Sequence, residues 1–143
     1  MPGTTQGVHI AVRPEDFFRV ITAYEQYPEF LDDMKQATVL SHTDNTAEVQ
    51  FTVHLIKRLT YTLLLTESAP HSLRWHLKEG PFKVSNGSWT LEELDDGSTQ
   101  AQYEVEVKVA AFVPKSVSTR IVGKTVPALL AAFKSRAEAL YTL

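Results

Sequence analysis

The stretch Pro114–Leu140, PKSVSTRIVGKTVPALLAAFKSRAEAL, is the longest helical pattern in the chain and decides its fold. Its apolar positions Val117, Ile121, Val126, Leu129, Leu130, Phe133, Ala137 and Leu140 recur at steps of mostly three and four. That spacing places them on one stripe of a helix. A stripe this long has to be buried against something broad, and the only broad partner is the sheet formed by the residues before it. A strongly curved sheet wrapped around one helix leaves space between the layers, lined by apolar side chains. Pro127 lies inside the pattern, where it removes a backbone hydrogen bond and crowds the preceding turn, so the helix is expected to kink near Gly123. Such a kink either fits the helix to a curved sheet or lets it flex to admit a ligand.

The preceding residues alternate. A first strand is predicted over Gln6–Val12, with Val8, Ile10 and Val12 on one face. Arg13-Pro14-Glu15-Asp16 then opens a helix, because proline suits the first turn and carboxylates favour the positive end of the helix dipole. Phe17, Val20, Ile21 and Tyr24 share its apolar face, Tyr27-Pro28 ends it, and a further short turn is expected over Glu29–Asp33. From Met34 the period is two. Ala37 and Val39 mark a second strand, and Asp44-Asn45 a turn. Ala47, Val49, Phe51, Val53 and Leu55 alternate with polar residues in a third. The fourth sets Leu59, Tyr61, Leu63 and Leu65 against Thr60, Thr62 and Thr66, and the fifth carries Leu73, Trp75 and Leu77. After Gly80-Pro81, a sixth strand over Phe82–Leu94 holds Trp89 and Leu91, with Gly87 predicting a bulge or sharp bend. Asp95-Asp96-Gly97 signals a hairpin into a seventh strand bearing Ala101, Tyr103, Val105, Val107 and Val109. Six consecutive strands with short turns make an antiparallel meander, wet on one face and covered on the other by the last helix. The result is a two-layer α+β domain.

At 143 residues the chain is expected to form one domain over 1–143 that buries roughly 70% of its unfolded surface. Without cysteine it has no disulfide framework, thiol nucleophile or thiolate metal site. A net charge of −3 with no basic stripe argues against a nucleic-acid partner. Met1–Gly7 lacks the charged start and apolar core of a signal peptide. No run approaches the roughly 18 apolar residues of a membrane span. A cytoplasmic location is the expectation.

Tyr27-Pro28-Glu29-Phe30, following Pro14-Glu15-Asp16-Phe17-Phe18, resembles the helical motif of the START-like superfamily, and most closely its polyketide cyclase/dehydrase and coenzyme Q-binding branch. Gly80-Pro81-Phe82-Lys83 with the later Gly87-Ser88-Trp89, Val122-Gly123-Lys124, and Ala132-Phe133-Lys134-Ser135-Arg136-Ala137 are similar to further segments of that branch, in the same order. The resemblance spans essentially the whole chain. It implies a helix-grip fold: a curved seven-stranded antiparallel sheet gripping a long C-terminal helix around a lipophilic cavity, with one or two short helices after the first strand. Members include ubiquinone-binding proteins, aromatase/cyclases and toxins acting on ribosome subunit association, so the fold does not decide the function.

The candidate ligand-binding residues are Phe51, Val53, Tyr61, Leu63, Trp75, Trp89, Tyr103 and Val105 on the covered sheet face, Leu129 and Phe133 on the helix, and Tyr27 and Phe30 at the entrance. Each either packs the core or lines a cavity. Tyr61, Tyr103, Trp75 and Trp89 carry polar tips that need a partner when buried. In a ligand site such tips orient a mostly apolar guest, for instance by donating to a quinone carbonyl or polyketide oxygen. Among the histidines, His9, His54 and His76 fall on polar strand faces and His42 and His71 at turns, without the spacing a metal site needs. No metal and no cofactor is expected. Glu67 and Glu93 are in phase with apolar faces near strand ends and are the only candidates for an acid–base role; Arg74 is on the wet face. No nucleophile elbow or phosphate loop occurs, and no catalytic residue is assigned.

Three functions follow. The first is binding or transport of a small hydrophobic ligand of quinone, lipid or polyketide type. The second is an aromatase/cyclase or dehydratase acting on a polyketide, with Tyr61 or Tyr103 as proton donors and Glu67 as base. The third is a protein-interaction role such as ribosome association. A transient membrane or ribosome contact is compatible with each, and no residue pattern speaks to oligomeric state.

Overall fold

The structure is a computed structural model that describes residues 3–54 and 57–143. The predicted strand residue Leu55 lies outside the described residues. The elements are β1 (Gly3–Ile10), α1 (Pro14–Thr22), a 3₁₀ helix (Tyr24–Glu29), β2 (Met34–Thr43), β3 (Thr46–His54), β4 (Arg58–Ser68), β5 (Ser72–Glu79), β6 (Phe82–Glu93) and β7 (Thr99–Val109). A helical region follows: α2 (Ser116–Arg120), a π turn (Ile121–Thr125) and α3 (Val126–Leu140). The seven strands form one antiparallel sheet in the order β1-β7-β6-β5-β4-β3-β2, so β2 to β7 are the predicted meander and β1 closes against β7. The expected helix-grip α+β architecture is what the chain adopts.

Alternation sets the faces. β3 and β7 bury Ala47, Val49, Phe51 and Val53, and Ala101, Tyr103, Val105 and Val107, while their intervening residues stay wet or half-buried. The helical region covers that inner face and is held at two places. Lys134 donates to the His9 carbonyl at 2.7 Å, and the Ala11 amide donates to Glu138 at 2.8 Å, fixing α3 to the end of β1. Arg136 donates to Gln26 at 3.1 Å and to Glu29 at 2.8 Å and lies over the Phe30 ring, fixing the opposite side to the 3₁₀ helix.

Several expectations are corrected. β1 runs Gly3–Ile10 rather than Gln6–Val12, because its first residues pair with the far end of β7, as in Gly3 with Glu106. Val12 is buried beyond the strand, and its carbonyl accepts the Thr99 hydroxyl at 2.8 Å. α1 stops at Thr22, and Tyr27-Pro28 belongs to the 3₁₀ helix that follows rather than ending an α-helix. The final helix begins at Ser116, and its expected kink is a π turn containing Gly123. Because Pro127 has no amide to offer the Gly123 carbonyl, the register slips, and the Val126 amide donates to Ile121 five residues back. Thr62, predicted on the wet face, is 2% exposed, beside a register shift opposite β5.

Gly87 makes no bulge. It pairs regularly with Trp75 and Val105, and the bulge of β6 lies instead between Phe82 and Val84. A Cβ at Gly87 would overlap the Trp75 indole and lie 2.6 Å from the Glu104 carbonyl. Without a Cβ the glycine leaves the indole room to pack directly against the strand. Gly87→Ala is therefore expected to expel the indole and destabilise the protein by about 1–3 kcal/mol through overpacking. A melt and the tryptophan emission spectrum check this; an unchanged spectrum would contradict it.

Candidate functional site: a cavity under the helix

Sheet and helix do not close completely. Between them lies a partly enclosed cavity of about 230 Å³. For scale, an apolar cavity of about 150 Å³ admits one benzene ring. Successive strands supply the wall: Phe51 and Val53 from β3, Tyr61 and Leu63 from β4, Trp75 from β5, Trp89 from β6, and Tyr103 and Val105 from β7. Leu129 and Phe133 form the roof from α3, and Tyr27 and Phe30 bound it beside the 3₁₀ helix. All twelve residues singled out in the sequence thus face one space. The exposed Asp32 and Ala128 also line it, which places the mouth between residues 32–34 and the helix.

Much of the wall is aromatic. The Phe133 ring lies 5.2 Å from Tyr27, 5.1 Å from Phe30 and 5.5 Å from Trp89, all edge-on. Trp89 meets Tyr103 at 4.8 Å, and Tyr103 meets Trp75 at 5.6 Å. Edge-to-face and tilted ring contacts of this kind add to the area they bury and stiffen the walls.

The tyrosine hydroxyls divide into two kinds. Tyr27 donates to the Ile21 carbonyl and Tyr24 to Glu67 at 2.6 Å; both serve the fold. Tyr61 and Tyr103 have no hydrogen-bond partner among the described residues, and both line the cavity. Burial raises the pKa of Tyr27, Tyr61 and Tyr103 far above the ordinary phenol value. The two free phenols therefore stay neutral at every physiological pH and act as hydrogen-bond donors rather than as phenolates. Ser85 and Thr125 add two hydroxyls to the lining, and the Thr125 Oγ1 is buried without a partner. Inward of Asp32 and Asp33 at the mouth, the lining is thus apolar, uncharged and provided with a few donors.

The sequence reading missed part of this lining. Ser85 is in phase with Trp89 but reads as a wet residue. Phe82 is out of phase and turns inward only because the bulge after it changes the parity. Asp32 and Asp33 lie in a loop that no periodicity describes.

Neither acid–base candidate lies in the cavity. Glu93 is exposed. Glu67 has one oxygen on Tyr24 and the other 3.1 Å from Nε2 of His42, and it is absent from the lining. His42 belongs to β2 rather than to a turn, on a face it shares with this carboxylate. The cluster ties the 3₁₀ helix to the sheet, and burial followed by the Glu67 hydrogen bond raises the Tyr24 pKa. Among the described residues no group of three or more histidines and carboxylates could hold a metal ion, and no helix is long and apolar enough to cross a membrane.

This geometry has relatives. RatA of Vibrio cholerae serotype O1, a ribosome association toxin, is 22% identical over 99% of this chain and 99% of its own. A START superfamily protein of Mycobacterium smegmatis superposes with a TM-score of 0.85 at 19% identity, covering 97% of this chain and 99% of that one. The aromatase/cyclase Zhui of Streptomyces sp. R1128 superposes with a TM-score of 0.82 at 16% identity, covering 99% and 98%. At such identities the structural likenesses establish the START-like fold alone. The model of one family, polyketide cyclase / dehydrase and lipid transport, matches residues 10–134, and the chain belongs to that family.

Proposed function

We propose that this chain works as a single START-like domain that binds and carries a small, neutral, largely apolar molecule with one or more acceptor oxygens, of quinone, lipid or polyketide type. The observation behind this reading is the cavity itself: partly enclosed by aromatic walls, free of charge inward of the aspartates at its mouth, and holding two phenols without a partner among the described residues. Apolar walls stabilise a guest by roughly 25 cal/mol per Å² removed from water, and the phenols of Tyr61 and Tyr103 select for an acceptor. An anionic guest would be disfavoured because the lining offers no cation to balance its charge.

Trp75 and Trp89 are the only two tryptophans and both line the cavity, so intrinsic fluorescence reports on occupancy. 1,4-Naphthoquinone is expected to quench it saturably. Tyr103→Phe should weaken the quinone by about three- to tenfold, the value of one hydrogen bond of 0.5–1.5 kcal/mol, and leave naphthalene binding unchanged. Absence of saturable quenching, or equal weakening of both probes, would refute the reading.

The free phenols also support a catalytic variant, in which they polarise a carbonyl by hydrogen bonding while a polyketide is folded and cyclised. Conversion of a polyketide by the wild type, lost in Tyr103→Phe with binding retained, would select it. A ribosome-directed role draws only on the distant toxins and would be supported by recovery of ribosomal subunits with the intact chain.

A further inference from the structure

We propose that the end of the molecule bearing the cavity mouth docks on an anionic lipid surface, with Phe112 entering the headgroup layer and a collar of cations meeting the phosphates. The turn after β7 is anchored from below. The Ala110 amide donates to the Pro81 carbonyl at 2.9 Å, the Val113 amide donates to Ala110 at 2.9 Å, and Val113 is buried. These anchors leave Phe112 at the tip, 75% exposed, with Ala111 and Pro114 exposed beside it. A lone exposed apolar side chain is ordinary. The charge around this one is not.

The exposed Lys57, Arg58, Lys83, Lys108 and Lys115 all lie at the end where β3 passes to β4, β5 to β6 and β7 to α2, and the exposed Lys124 follows on the π turn. Strand register confirms the common end: Arg58 pairs with His54, Phe82 with Val109 and Val84 with Lys108. None of these six cations forms an ion pair among the described residues, whereas Lys78, Lys134, Arg19 and Arg136 do. Against these six cations the same end carries fewer acids, Asp32 and Asp33 at the mouth and Glu79 before the β5–β6 turn, while the opposite end carries the acidic turns with Asp44, Asp95 and Asp96. A chain of net charge −3 is therefore polarised, with its positive charge gathered around an aromatic apex.

The cavity opens at this same end, because the loop at its mouth is tied to the end of β3 through the His54 amide and the Asp33 carbonyl at 2.8 Å. A protruding apolar tip within a basic collar suits a lipid interface, where the ring leaves water and the cations meet anionic headgroups. A phosphate backbone is tracked instead by a basic groove, which this tip lacks. The inference stands on the surface alone and does not depend on what the cavity holds.

Sedimentation with phosphatidylcholine vesicles, with and without phosphatidylglycerol, tests it. The bound fraction is expected to rise at least about tenfold with phosphatidylglycerol and to be lost at about 0.5 M salt, where charges are screened within a few ångströms. Phe112→Ala should lower binding several-fold with an unchanged melt, and joint Lys108→Glu and Lys115→Glu should abolish it. Failure to bind these vesicles, binding unaffected by Phe112→Ala, or retention of a structured RNA in place of vesicles would each overturn the proposal. Naphthoquinone quenching on the same preparations separates this failure from a failure of the cavity reading.

Discussion

Phe133→Ala is expected to destabilise the protein by about 3–5 kcal/mol, the cost of truncating a fully buried phenylalanine. Phe133 is 1% exposed and lies where helix, sheet and 3₁₀ helix meet. Its ring contacts Tyr27, Phe30 and Trp89, and Phe17 of α1 lies 6.4 Å away. The upper part of the range applies because the site already borders a cavity. Rigid aromatic walls cannot collapse into the new space, and the penalty for a void grows with its volume. For a domain of this size each kcal/mol moves Tm by roughly 2–4 °C, so the melt should fall by about 10 °C or more. A loss below about 1 kcal/mol would show that the helix is not seated on this ring.

Ala132→Trp should do the reverse: end ligand binding while sparing the fold. Ala132 is half-buried, lines the cavity, and precedes Phe133 on the same helix. An indole projecting from it takes up much of a space of about 230 Å³. Naphthoquinone affinity is expected to drop by more than about tenfold, or 1.4 kcal/mol. Thermal stability should hold or rise, because a side chain that fills a void gains contacts without displacing any. Undiminished quenching, corrected for the added tryptophan, would place the probe outside the cavity.

Much of this site follows from parity. In β3 and β7 an unbroken alternation, and in β4 one interrupted only at the buried Thr62, brings Phe51, Val53, Tyr61, Leu63, Tyr103 and Val105 to one face, and the stripe containing Leu129 and Phe133 covers it. A period-two or period-3.6 pattern is a local property, so a sequence displays it directly. What escapes such a reading depends on pairing between distant residues. The Phe82–Val84 bulge reverses parity within one strand. Gly87 is explained by the Trp75 ring from the neighbouring strand, not by its own conformation. Glu67 looks like a carboxylate at the edge of an apolar face until Tyr24 and His42, both far away in sequence, occupy its two oxygens. The π turn was legible as a break at Pro127, but its form depends on how the amides downstream re-register.

The central claim is that the hollow under the helix exists to hold a neutral, oxygen-bearing guest. Mass spectrometry of organic extracts from the wild type and Ala132→Trp, each purified from the native host, tests it most directly. The account predicts a neutral ring- or chain-containing compound near one per chain in the wild type and its absence from the variant. Identical extracts from the two proteins would contradict it.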